Sequence, residues 1–358
     1  MKSDYLWDRS GEADPQLQKL EQALGQFRSQ VEAPQFPMDV EKGNQCGLKR
    51  IALVWRMRRL AASMVFGTAA ATVAVVAFLH VAKSPTGPGW DVARLEGAPS
   101  VGELTVAKTG GMAKLHVGEV LTTNASSRAS VQVANIGELY VDPGSRLRLL
   151  ETGSNRKRIA VEIGTIHAAI WAPPGEFVVD TPSATAVDLG CAYTLQVAAD
   201  GSGTLQTKMG WVGFHQNGRD SFIPAGAMCL TRAKEGPGTP FFEDSLEEFR
   251  SALHALDFEE LNVAGRSEAL QTVLRKARVR DGFTLWHLLA RVSDEERPMV
   301  YDRLTALVRP PAGTTREGVL RLDAPMIDAW WNRFALGDIG VWRFWEQREA
   351  PRTKKAAS

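Results

Sequence analysis

Glu138-Leu-Tyr-Val141, Arg146-Leu-Arg-Leu149 and Arg158-Ile-Ala-Val-Glu-Ile163 are three short runs that mix polar and apolar side chains within residues 138–163. Pro143-Gly144 supplies turn chemistry between the first two. The pattern extends in both directions. Upstream lie Val101-Gly-Glu-Leu-Thr-Val106 and Val131-Gln-Val133; downstream lie Glu176-Phe-Val-Val179, Tyr193-Thr-Leu-Gln-Val197 and Thr204-Leu-Gln-Thr207. Strands that recur about every ten residues predict an all-β antiparallel sandwich or roll over 101–242. Asp200-Gly201 and Asn217-Gly218 suit tight hairpins. No long helical pattern interrupts the block, which argues against a parallel sheet with crossover helices.

The period changes after Phe242. Ser245-Leu-Glu-Glu248 reads as a capping box, followed by Phe249, Leu253 and Leu256 at helical spacing. Ser293-Asp-Glu-Glu296 is a second box ahead of Val300, Leu304 and Leu307, and Pro310-Pro311 closes that helix. Asp323 is placed to cap a third helix carrying Ile327, Trp330 and Trp331. Residues 243–348 are therefore expected to form a small helical region, with 349–358 a disordered tail. Trp286, Trp330, Trp331, Trp342 and Trp345 fall in this region, and core packing is the first reading of so much aromatic area. Neighbours on a helix point about 100° apart, so Trp330 and Trp331 cannot share one direction. At least one of the two is expected at a domain interface or in solvent.

Upstream of the β block, Leu60 to Ala82 contains no acid, lysine or arginine. As a helix it would reach roughly 30 Å, about the thickness of a bilayer core. Lys49, Arg50, Arg56, Arg58 and Arg59 precede it, and only Lys83 follows before a Pro/Gly run. The positive-inside rule then predicts a single-pass protein of the inner (cytoplasmic) membrane. It has a cytoplasmic tail over 1–59, a transmembrane helix over 60–82 and a linker over 83–100, with the β domain outside. The competing reading of Leu60 to Ala82 is a buried core helix. A secretory signal is disfavoured, because its charged region should begin near Met1. Ser63, Gly67 and Ala71 form a small-xxx-small row of the kind that lets two helices approach. In the tail, Asp14-Pro15 opens a short amphipathic helix with Leu17, Leu20, Leu24 and Phe27 on its apolar stripe. One such helix cannot bury its own stripe. With Tyr5, Leu6 and Trp7 it reads either as a docking peptide for a cytoplasmic partner or as a marginally ordered tail.

The formal net charge of +1 argues against a nucleic-acid binder. The chain has no Gly-x-Ser-x-Gly elbow, P-loop, His-Glu-x-x-His or Cys-x-x-Cys pair, and its 6 histidines lie far apart. Neither an enzyme nor a cofactor is expected. Of the 3 cysteines, Cys46 falls on the predicted inner side. Cys191 and Cys229 are the one possible outer pair. They form either a disulfide or two buried free thiols in neighbouring strands.

From about Gly118 to Phe214 the β block resembles the FecR family, transmembrane regulators of extracytoplasmic-function sigma factors. The similar segments are Gly137-Glu-Leu-Tyr-Val-Asp-Pro-Gly-Ser145, Arg158-Ile-Ala-Val-Glu-Ile-Gly164, Glu176-Phe-Val-Val-Asp-Thr-Pro-Ser183, Ala186-Val-Asp-Leu-Gly190, Tyr193-Thr-Leu-Gln-Val197 and Gly210-Trp-Val-Gly-Phe214. Gly190-Cys191 stands where the family often has glycine-threonine. Helices follow the β block where iron-uptake members continue into another small domain. The resemblance implies a cytoplasmic tail that binds a sigma factor and an outer domain that receives a periplasmic or outer-membrane signal. Tyr5, Leu6, Trp7, Leu17, Leu20, Leu24 and Phe27 would be the sigma contact. The alternative expectation is a membrane-anchored scaffold or wall-binding protein that uses the β domain.

Overall fold

The computed structural model describes residues 88–106, 111–216 and 218–349. The main strands are β1 (Gly89–Glu96), β2 (Met112–His116), β3 (Val120–Thr122), β4 (Arg128–Val133), β5 (Gly137–Val141), β6 (Arg146–Thr152) and β7 (Lys157–Ile170). They continue as β8 (Phe177–Asp180), β9 (Thr185–Asp188), β10 (Ala192–Val197), β11 (Gly203–Met209), β12 (Trp211–Gln216), β13 (Arg219–Pro224) and β14 (Ala227–Arg232). Two-residue strand pieces at Ser100–Val101, Leu104–Thr105, Gly236–Pro237 and Phe241–Phe242 complete the edges. β1 lies inside the stretch read from sequence as linker.

The strands form two sheets that share β7. Its first half pairs with β6 and β8, and its second half with β5 and β10. One sheet runs β2-β1-β4-β5-β7-β10-β11-β14; the other runs β3-β6-β7-β8-β9-β12-β13. β7 changes sheet at Gly164, whose φ is +102°. A Cβ there would stand 2.2 Å from Ser145 Oγ. That same hydroxyl accepts from Thr165 N–H at 3.0 Å, so the serine pins the bend. Alternate residues of β7 (Ile159, Val161, Ile166, Ala168 and Ile170) face the core between the sheets and are buried.

Two expectations need correction. The sheet is not wholly antiparallel: β7 and β8 pair in parallel, Phe177 opposite Lys157. A parallel neighbour usually needs a crossover helix. Here β7 leaves for the other sheet before it ends, so a short loop brings the chain back beside its start. The expected single-pass membrane fold also lacks its spanning helix among the described residues. Among the described residues no helix is long and apolar enough to cross a membrane. The longest of them has 14 residues, about 21 Å, well short of a bilayer core. Leu60 to Ala82, the small-residue row within it and the tail helix lie outside the described residues.

The helical region comprises α1 (Glu247–Phe258), α2 (Val263–Lys276), a 3-10 turn (Val279–Asp281), α3 (Gly282–Leu289), α4 (Arg297–Leu307), α5 (Arg316–Leu320), α6 (Ala324–Phe334) and α7 (Ile339–Glu349). Asp323 caps α6, accepting from Met326 N–H. Ser293 and Glu296 exchange the two bonds of a capping box just ahead of α4. Ser245 does not cap α1; its hydroxyl instead bonds the buried Asp281 at 3.3 Å. The helices pack on β12 and β13. α3 (Gly-Phe-Thr-Leu-Trp-His-Leu-Leu) is buried along its whole length, so it reads as apolar all round rather than as a stripe. Trp330 and Trp331 are both fully buried and point two ways. Trp330 stacks on Phe334 within the helices, while Trp331 reaches Trp211 at 5.7 Å and Phe222 at 5.0 Å in the β domain.

Candidate functional site

The densest convergence of polar chemistry lies where the β12–β13 hairpin meets α3, α6 and α7. Phe222 on β13 is its apolar centre, with the rings of Trp211, Trp286, Trp331 and Trp342 within 5.7 Å. Gly213 on β12 admits Trp342 so closely that a Cβ would stand 2.0 Å from its ring. His287 on α3 is buried between the two layers. Its Nδ1 bonds Phe283 O at 2.8 Å, so Nε2 is left to accept Phe222 N–H at 2.9 Å. Burial, and then the nearby Arg291, push its pKa well below the usual value, so the ring is neutral.

Arg291 follows α3, and its side chain is only 9% exposed. Its guanidinium donates to Thr239 Oγ1 at 2.8 Å, Asp220 O at 2.7 Å and Ser221 Oγ at 2.6 Å. Asp257 on α1 accepts from Arg219 at 2.6 Å and from Thr239 N–H at 2.6 Å, and stands 3.9 Å from Arg291. Burial, and then the neighbouring Arg219, lower the Arg291 pKa to about 10. Asp220 is engaged by His215 at 2.7 Å and by Trp342 Nε1–H at 3.2 Å. The hydrogen bond that His215 donates to Asp220 raises the His215 pKa. A cavity of about 450 Å³ opens beside this network, lined by the polar side chains of Arg219, Asp220, Arg291 and Arg343 and by apolar Trp286, Leu289 and Ile327.

A second buried polar cluster lies at the end of β9. The Asp188 carboxyl accepts from Gly190 N–H at 2.8 Å and from the Cys191 thiol at 2.8 Å. Burial pushes its pKa up to about 7 against those bonds. The Cys191 thiol is raised by its own burial and by Asp188, and the Tyr193 hydroxyl is buried without a partner. A thiol held protonated is a poor nucleophile, so this cluster does not form a catalytic cysteine site.

The sequence-read pair Cys191 and Cys229 is not a disulfide: both are free, buried thiols. The register explains why. Cys229 on β14 faces Leu205 on β11, which faces Leu195 on β10. Cys191 lies four residues before Leu195, about 13 Å along the strand and two strands across. Cys229 bonds Gly238 O instead, and burial pushes its pKa up to about 12. Tyr5, Leu6, Trp7, Leu17, Leu20, Leu24 and Phe27 lie outside the described residues. Arg219, Asp220, Asp257 and Arg291 escaped the sequence reading. Their only signal was a charge, Arg291, closing the apolar run that begins at Phe283.

Residues 119–210 match the family described as FecR protein. No curated protein matches the chain. Two crystal structures of a candidate anti-sigma factor from Parabacteroides distasonis ATCC 8503 are similar to it. One is 16% identical over 37% of this chain and 63% of that one, with a TM-score of 0.31. The other is 15% identical over 43% and 73%, also with a TM-score of 0.31. This chain thus spans 63% of the first of them. The matched segment begins just before β3 and ends just after β11, so it contains the sheet-switching strand and the Asp188 cluster but not the β13–α3 cavity. What the comparisons give this chain is a FecR match confined to residues 119–210.

Proposed function

We propose that this chain regulates a sigma factor of the extracytoplasmic-function type, with the FecR domain as the part that receives a signal. The observation that carries the reading is the FecR match over 119–210. On this reading the protein is regulatory rather than catalytic. Its N-terminal residues Tyr5, Leu6, Trp7, Leu17, Leu20, Leu24 and Phe27 provide an apolar face for the sigma factor, since a single amphipathic helix needs a partner to cover its stripe. A signal acts through the FecR domain only by binding two states of the protein unequally.

The test is co-purification of the full chain from its own cells. A parallel chain carries Leu17, Leu20 and Leu24 changed to serine. The expected result is a sigma factor recovered with the native chain and lost with the triple variant at equal protein yield. Equal recovery by both removes the assigned contact. Recovery of no sigma factor by either overturns the regulatory reading and favours a scaffold.

A further inference from the structure

We propose that the trough on the outer face of β10 and β11, beside the start of α1, binds an uncharged saccharide through its hydroxyl groups. Thr194, Gln196, Thr204 and Gln206 form its floor, with Met228 and Arg250 at its side.

Strand alternation makes the floor. Tyr193, Leu195 and Val197 on β10, and Leu205 and Thr207 on β11, are buried between the sheets, so the residues between them face outward. The register sets Thr194 opposite Gln206 and Gln196 opposite Thr204, which places two hydroxyls and two carboxamides on adjacent cross-strand pairs. Outward polar residues are ordinary; these differ in what they bond. Elsewhere on the same face the Gln132 amide donates to Gly137 O at 2.9 Å, and the Tyr140 hydroxyl donates to Glu138 at 2.9 Å. The side chains of Gln196, Thr204 and Gln206 make no hydrogen bond among the described residues. Thr194 is oriented from the neighbouring strand. The Asp142 carboxylate accepts from His167 Nε2–H at 2.9 Å, so in the neutral ring Nδ1 accepts from the Thr194 hydroxyl at 3.0 Å. The Thr194 oxygen then keeps only acceptor capacity, which calls for a donor in the ligand. Each glutamine carboxamide offers both an acceptor and donors. Several neighbouring groups that each donate and accept match such a floor, and the hydroxyls of a sugar ring are groups of that kind.

Charge and packing define the rest of the ligand. No floor side chain is charged. At the rim Arg250 is paired with Glu247, and the exposed Glu243 disfavours an anion while offering a carboxylate to a further hydroxyl. Met228, opposite Gln206 in the register and half-buried, gives the C–H face of a sugar ring an apolar neighbour. A protein partner would call for apolar side chains at the centre and polar ones around them. Here the centre is the polar part. The trough holds about 400 Å³, a size suited to one small molecule. The assignment does not depend on the sigma-factor reading, and its failure leaves that reading untouched.

The experiment is titration calorimetry of the full chain with cellobiose, maltose and chitobiose as neutral probes. Digalacturonate and the glucosamine dimer serve as anionic and cationic controls of the same size. At least one neutral disaccharide is expected to bind saturably, with both charged dimers weaker by roughly tenfold or more, the scale of one or two hydrogen bonds. Gln206→Met keeps the length of the side chain and removes its amide; it should weaken binding by roughly tenfold at an unchanged melting midpoint. Thr204→Trp fills the trough and should abolish binding. Failure of Thr204→Trp to fold would leave Gln206→Met to decide. No saturable heat with any of the three neutral sugars overturns the proposal. So does a charged dimer that binds as tightly as the best of them, or binding left intact by Gln206→Met and Thr204→Trp.

Discussion

At the scale of single residues, two buried groups give stability opposite pH dependences. Asp188 is held at about 7 in the fold and near 4 in the unfolded chain. Between those values the folded state keeps a proton that the unfolded chain has released. Stability from this group is therefore greatest below about pH 4 and declines as pH rises towards 7. His287 works the other way. It is neutral in the fold and charges near 6.5 when unfolded, so its contribution is present above that pH and lost as pH falls below it. Urea denaturation at several pH values between 5 and 8 should show the decline removed by Asp188→Asn and the acid loss reduced by His287→Gln, neither of which can ionise. A third residue-scale prediction concerns the thiols. Iodoacetamide should leave Cys191 and Cys229 unlabelled in the folded protein and label both after denaturation, by mass spectrometry; a mass unchanged by reductant is expected as well. The Asp188–Cys191 contact was not legible in the sequence, because strand alternation gives no sign that a carboxyl accepts from a thiol three residues on.

At the scale of elements, β7 shows how far local pattern reaches. Arg158–Ile163 and the turn at Pro143-Gly144 could be read from side-chain alternation and turn chemistry, and both are found. That the strand continues to Ile170, changes sheet at Gly164 and takes β8 as a parallel neighbour is tertiary: the bend packs against Ser145, from the loop before β6. The Ser245 box failed for a similar reason: Asp281, far along the chain, holds the hydroxyl that a helix end would otherwise use. Asp323 met no such competitor and caps α6. Gly164→Ala should destabilise the fold by about 3 kcal/mol in denaturant unfolding, since it adds a Cβ at positive φ against the backbone of Ser145. Gly213→Ala should instead unseat α7. Trp342 would lose its place over β12, read as loss of helix signal and easier proteolysis near residue 342.

At the scale of the whole molecule, the β domain and the helices share one aromatic and ionic joint. They are therefore expected to melt together, in a single calorimetric transition. Arg291→Leu removes the guanidinium that links Thr239, Asp220 and Ser221 to the end of α3, leaving their polar atoms short of partners. It should cost about 3–5 kcal/mol, measured by urea denaturation. No sequence pattern could have announced that joint, because Arg219, Asp257 and Arg291 come from three elements and meet only after packing. The joint also carries a consequence for biosynthesis. Trp342 bonds Asp220 across 122 residues of chain, so it leaves the ribosome long after the hairpin it covers. Until then Phe222 and Gly213 present an unfinished apolar surface. A translation product halted short of α7 would keep that surface open to chaperones and proteases, so the cell has a built-in means of telling complete copies from incomplete ones.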